Sequence, residues 1–132
     1  MLSEAASSSS SVRLQAPLRI VIVEDDPVMQ LGLEQFLENY DSFYVIGVAD
    51  DGYSGIALAL DLKPDLVVMD IGLPQLDGIA ATQQIKRKQP DVRVVMLTSH
   101  TADYEMVAAL ASGADAYCGK GTSLEQLEVA IN

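Results

Sequence analysis

Runs of consecutive apolar residues recur along the chain and alternate with longer stretches of helical period. Ile20 to Val23 is apolar throughout and stops at Glu24-Asp25-Asp26, which reads as a strand buried on both faces. Pro27 suits the first turn of a helix, with Asp26 as its N-cap. Leu31, Gly32, Phe36 and Leu37 then carry a helix-period stripe towards Tyr40. Phe43 to Ala49 is a second strand, and Gly52 to Lys63 a second helix ended by Pro64. Asp65 to Asp70 gives a third apolar run closing on an acid, and after the Leu73-Pro74 loop Gly78 to Lys88 reads as helix, stopped at Pro90. Val92 to Leu97 is a fourth run, closing on Thr98-Ser99. Thr101 to Ser112 reads as helix, with Met106, Val107, Leu110 and Ala111 as its apolar stripe and Gly113 as C-cap. Ala114 to Gly119 is a weaker fifth strand, and Ser123 to Ile131 a last helix whose Ser123 and Gln126 fit a capping box.

Strands that are apolar throughout, joined by helical crossovers, argue for an α/β fold: a parallel sheet covered by helices on both faces. In such sheets ligands and chemistry gather beyond the C-terminal strand ends. The residues expected there are Glu24 and Asp25 after the first strand, Asp70 after the third, Thr98 after the fourth and Lys120 after the fifth.

Composition narrows the partners. Eight Lys and Arg stand against nineteen Asp and Glu in 132 residues, a net charge of −11, so nucleic acid and anionic membrane surfaces are poor direct partners. One cysteine, Cys118, rules out an internal disulfide framework and suits a reducing cytoplasmic compartment. Lying in an apolar strand, Cys118 reads as a small core hydrophobe rather than a redox sensor. No run approaches a membrane span, and the N-terminus lacks a signal pattern. The length suits one domain. Residues 1–17, with serines from Ser7 to Ser11, are expected to be a flexible tail, and residues 18–132 the folded unit.

Carboxylates converging at one sheet edge repel, and burying them unpaired costs several kcal/mol each. A hard dication with oxygen ligands, Mg²⁺, is the natural neutraliser. Lys120 could supply a second positive charge, and Thr98 a hydrogen bond to an anionic oxygen. Together with a carboxylate nucleophile these groups suit phosphoryl transfer to Asp70, the cations stabilising charge on the transferring oxygens.

These residues and spacings resemble the receiver domain of two-component response regulators. The stretches that carry the resemblance are Ile22-Val23-Glu24-Asp25-Asp26-Pro27, Val68-Met69-Asp70-Ile71-Gly72-Leu73-Pro74-Gln75-Leu76-Asp77-Gly78, Met96-Leu97-Thr98-Ser99 and Gly113-Ala114-Asp115-Ala116-Tyr117-Cys118-Gly119-Lys120. Each is weak by itself; all four in this order, each at a strand end, are specific. The resemblance implies a flavodoxin-like (βα)₅ fold. It implies that Asp70 accepts a phosphoryl group from the phosphohistidine of a sensor histidine kinase. Asp25 would then ligate Mg²⁺ directly, Glu24 mostly through water, and Gly72 through its backbone carbonyl. Thr98 and Lys120 would contact the phosphoryl group, and Tyr117 would rotate inward as Thr98 moves. By the same resemblance, Gly72 and His100 would tune how fast water attacks the acyl phosphate.

Two positions depart from the commonest pattern: Glu24 stands where Asp is more usual, and Gly121 follows Lys120 where many members carry proline. Asp26-Pro27 and the non-proline after the lysine look more like the subfamily joined to a LuxR/NarL-type helix-turn-helix output domain. No such domain lies within these residues, and the last helix is expected to run on past Asn132. The partners expected from the resemblance are thus a histidine kinase, an output domain and, through the last helix and its neighbours, a second copy of the chain.

Other readings remain in play. Asp26 and Asp77 suit helix caps, and Asp50-Asp51 a solvated turn pair. Gly113 to Gly121 has an outward likeness to a phosphate-binding glycine loop, but five residues separate Gly113 from Gly119 and glycine follows the lysine where Ser or Thr is needed. A haloacid-dehalogenase-like phosphatase would also use an Asp nucleophile with Mg²⁺, yet needs a second Asp where Gly72 stands. A pseudo-receiver that never carries phosphate is the remaining alternative; loss of an acidic ligand, the acceptor or the lysine would signal it, and none is lost. The expectation is a switch that phosphorylates and dephosphorylates itself, not a turnover enzyme.

Overall fold

The structure, a computed structural model, describes residues 16–99, 103–120 and 124–131. Five strands and five helices alternate among these residues: β1 (Leu18–Val23), α1 (Pro27–Glu38), β2 (Phe43–Ala49), α2 (Gly52–Leu62), β3 (Leu66–Asp70), α3 (Gly78–Lys88), β4 (Arg93–Thr98), α4 (Asp103–Ala111), β5 (Ala116–Gly119) and α5 (Leu124–Ile131). Every strand pair is parallel. The strand order is β2-β1-β3-β4-β5, the flavodoxin-like arrangement, with its switch point between β1 and β3.

Strand alternation sorts the apolar runs onto two cores. Val21 and Val23 of β1 join Val67, Met69, Val94 and Met96 on the face covered by α2, α3 and α4. Ile20 and Ile22 join Leu66, Val68, Val95 and Leu97 against Leu33 and Leu37 of α1 and Leu127 and Ile131 of α5. Burial on both sides explains why the stretches Ile20–Val23, Leu66–Met69 and Val94–Leu97 lack any polar position. At ~25 cal/mol per Å² of apolar surface, such two-sided burial is the main stabilising term.

The helix starts follow local chemistry. Asp26, Asp51 and Asp77 each accept a backbone N–H in the first turn of α1, α2 and α3, from Val28, Ser54 and Ala80. Asp51 is therefore a cap rather than part of a solvated turn pair. Gly113 closes α4 at φ 108°, a left-handed conformation that a side chain disfavours. The capping box at Ser123 lies outside the described residues.

Two helix stripes are corrected. Leu31 of α1 is exposed, and the buried positions are Leu33 and Leu37. These two are one helical turn apart, while Leu31 lies about 200° around the helix from Leu33. In α4, Met106, Val107, Leu110 and Ala111 all face solvent, and the buried residue is Ala109. The helix docks through a small residue, Ala109, and its larger apolar side chains face outward. Glu105, one turn before Ala109, shares that inward face.

Candidate functional site

Asp70 is the last residue of β3, and β1 beside it runs directly into Glu24 and Asp25. Glu24 remains in register with the sheet, its N–H donating to the Ala49 carbonyl at 2.9 Å. The Ile71 N–H donates to the Leu97 carbonyl at 2.9 Å, so the segment after Asp70 is held by the sheet as well. Gly78 donates back to the Ile71 carbonyl at 2.9 Å. A Cβ on Gly78 would lie 2.1 Å from the Asp70 carbonyl oxygen, so only glycine lets α3 begin against the end of β3. Sheet and helix together fix the Asp70 backbone.

The side chains of Glu24, Asp25 and Asp70 converge. Each offers a carboxylate oxygen, and these oxygens lie within 4.8 Å of one another. Glu24 and Asp70 are buried, whereas Asp25 is exposed at the mouth. Lys120, after β5, reaches across the edge. Its Nζ lies 2.9 Å from Glu24 Oε1 and 3.0 Å from Asp70 Oδ1. Two backbone N–H groups also bond the buried carboxylates: Gly72 donates to Asp70 Oδ1 at 3.1 Å, and Asp26 to Glu24 Oε2 at 3.1 Å.

Burial pushes the Glu24 carboxyl above its ordinary range; Lys120 and the Asp26 N–H offset this in part, and the Asp70 charge adds to the rise. For Lys120 burial acts downward, but its bonds to Glu24 and Asp70 more than reverse it and the ammonium is held above its ordinary value. The pair is thus a lysine pinned between two carboxylates, with a third carboxylate outside. An all-oxygen set with one exposed member suits Mg²⁺, which takes few protein ligands and keeps several waters. The donor set therefore fits the ion.

A second cluster lies on the β4 side. Thr98, buried at the end of β4, donates its hydroxyl to Glu105 Oε1 at 2.7 Å. Tyr117 of β5 donates to the same oxygen at 3.0 Å. Burial raises the Tyr117 phenol pKa, and Glu105 pushes the same way. The Lys120 N–H donates to the Thr98 carbonyl at 2.6 Å, so the backbone joins the two clusters.

The structure thus brings Glu24, Asp25, Asp70 and Lys120 together, places Gly72 against Asp70, and puts Thr98 and Tyr117 on one neighbouring carboxylate. His100 lies outside the described residues. Sequence reading missed Glu105, whose one signal is its position one turn before the small residue Ala109. Cys118 is half-buried beside the α1/α5 core, and burial raises its thiol pKa, so it packs as a hydrophobe.

The family model for the response regulator receiver domain matches residues 20–132. The response regulator protein VraR of Staphylococcus saprophyticus is 37% identical over 115 residues, covering 87% of this chain and 55% of that protein. A LuxR-family two-component response regulator from Aurantimonas superposes with a TM-score of 0.84 at 30% identity, over 87% of this chain and 82% of the other. The response regulator domain of Thermotoga maritima CheB gives 0.77 at 33% identity, over 87% and 89%. The chain belongs to the response regulator receiver domain family. It spans about half the length of the curated relatives it matches. Among the described residues no helix is long and apolar enough to cross a membrane.

Proposed function

We propose that the chain takes a phosphoryl group onto Asp70 from the phosphohistidine of a sensor kinase, with Mg²⁺, and that the acyl phosphate switches its conformation. The carrying observation is Asp70 Oδ1 held 3.0 Å from Lys120 Nζ inside a group of three carboxylates. In this reading the phosphorus–nitrogen bond of the donor breaks as a phosphorus–oxygen bond to Asp70 forms. Water later cleaves the acyl phosphate, restoring the carboxylate and releasing inorganic phosphate. Asp25, Glu24, Asp70 and the Gly72 carbonyl would hold Mg²⁺, Glu24 mostly through water. The ion supplies charge neutralisation at the phosphoryl oxygens.

Lys120 already neighbours the acceptor and would follow the phosphoryl oxygens, while Thr98 contributes its hydroxyl and Tyr117 moves with it. Gly72, beside Asp70, and His100 would set access of water. Gly72 also weighs against a phosphatase, because it offers no second carboxyl. The output of the switch would be an attached DNA-binding domain, with residues 1–17 as a tail, a second copy of the chain as a further partner, and the cytoplasm as its compartment. The switch releases its phosphate once per cycle and turns over no external substrate.

Incubating the protein with Mg²⁺ and acetyl phosphate tests this. One phosphoryl group should appear by mass, disappear in Asp70→Asn and fail to form when Mg²⁺ is chelated. An intact protein that gains no mass under these conditions would overturn the reading and leave a binding-only module.

A further inference from the structure

Thr98 and Tyr117 are tied to each other by a carboxylate to which the receiver reading assigns no role. Glu105 Oε1 accepts from Thr98 Oγ1 at 2.7 Å and from the Tyr117 hydroxyl at 3.0 Å. A threonine hydroxyl carries a single proton. While that proton points at Glu105 it cannot point at a phosphoryl oxygen on Asp70. A hydrogen bond to an ionised acceptor is roughly twice as strong as a neutral one, and Thr98 is buried, where such bonds are least weakened by water.

We propose that Glu105 is a latch: its carboxylate holds Thr98 and Tyr117 away from Asp70, and the phosphoryl group must win the Thr98 proton from it. Glu105 acts as a positioning residue through Thr98, without touching the reacting atoms. Three observations converge on it. One oxygen serves both hydroxyls, so release of one loosens the geometry of the other. Glu105 lies on the inward face of α4 while Tyr104, Met106, Val107 and Leu110 face outward. Tyr117 reaches Glu105 from β5, so the same carboxylate ties α4 to that strand.

The latch rests on the phospho-acceptor reading and predicts a cost that the resting contact imposes on activation. A ligand can shift a two-state protein only by its difference in affinity for the two states. Removing the contact that stabilises one state should therefore raise apparent affinity for whatever selects the other.

The test titrates the intact chain with beryllofluoride in saturating Mg²⁺, following amide and Tyr117 ring signals by NMR. Glu105→Ala should tighten apparent beryllofluoride affinity about tenfold, equivalent to ~1.4 kcal/mol. Glu105→Gln, which keeps an oxygen acceptor but not the charge, should give a smaller gain. In a Thr98→Ala background, Glu105→Ala should give no gain. That dependence separates positioning through Thr98 from general loosening of α4, which would act in either background. Should Glu105→Ala fold poorly, Glu105→Gln in both backgrounds carries the same comparison. Unchanged or weakened affinity in a responding protein would overturn the latch and leave the receiver reading intact. A wild-type protein that fails to respond to beryllofluoride would overturn both.

Discussion

Helices α3 and α4 pack on the same side of the sheet and flank the site, yet they are held by different forces. Helix α3 buries Gly78, Ala81, Thr82 and Ile85 and is capped by Asp77. Its last turn carries Lys86, whose Nζ pairs with Asp115 at 2.8 Å and donates to the Val92 carbonyl at 2.6 Å. Helix α4 buries Ala109, exposes Tyr104, Val107 and Leu110, and turns Glu105 towards Thr98 and Tyr117. Apolar burial cannot be exchanged for another contact without exposing surface to water. A hydrogen bond can be exchanged for another of similar strength. The helix beside β3 is therefore expected to resist displacement, and the helix beside Thr98 and Tyr117 to shift more readily.

The widest contrast is a matched pair of truncations. Ile85→Ala in α3 should cost ~2–5 kcal/mol, through lost burial and a cavity. Leu110→Ala in α4 should stay within about 0.5 kcal/mol, as exposed positions do. Urea unfolding of both variants measures the gap, and equal losses would break the distinction between the helices.

A smaller effect is expected from Gly78→Ala. The added methyl meets the Asp70 carbonyl, a backbone atom unable to swing away, so stability should fall by ~1–3 kcal/mol. The same displacement should slow phosphorylation of Asp70 by acetyl phosphate, measured as the rate of mass gain. Unaltered kinetics in a destabilised variant would show that α3 supports the sheet without positioning the acceptor.

The smallest effect concerns pH. Burial first, and Glu105 second, raise the Tyr117 phenol above its usual 10.0. A group with a raised folded-state pKa contributes stability that is present below its unfolded value and lost as pH rises through the folded one. The contribution of Tyr117 should thus persist up to pH 10.0 and fade above it. Absorbance titration should show this phenol ionising after exposed tyrosines, and Glu105→Gln should advance it. Identical titrations for wild type and Glu105→Gln would remove the carboxylate from this account.

The alternation of strands and helices was legible because both faces of the sheet are covered: apolar runs such as Ile20–Val23 and Leu66–Met69 have no competing explanation. Asp70, Glu24 and Lys120 were legible as candidates because a charge that closes an apolar run must lie at a strand end. The outward stripe of α4 was misread because Met106, Val107 and Leu110 have the right spacing but the wrong phase. Period identifies a helix; which side is buried depends on what it packs against. Glu105 was invisible for the same reason, since a glutamate among helical residues ordinarily faces water.

From its own order of residues this chain determined the element sequence, the parallel sheet, the caps Asp26 and Asp77 and the charged residues at the strand ends. Those depend on local propensity and on periodicity, which act over a few residues. The tertiary structure decided which oxygen Lys120 binds, where Thr98 sends its proton, and which face of α4 turns inward. These depend on distances between residues far apart in the chain, and only the packed sheet brings such residues within a hydrogen bond of each other.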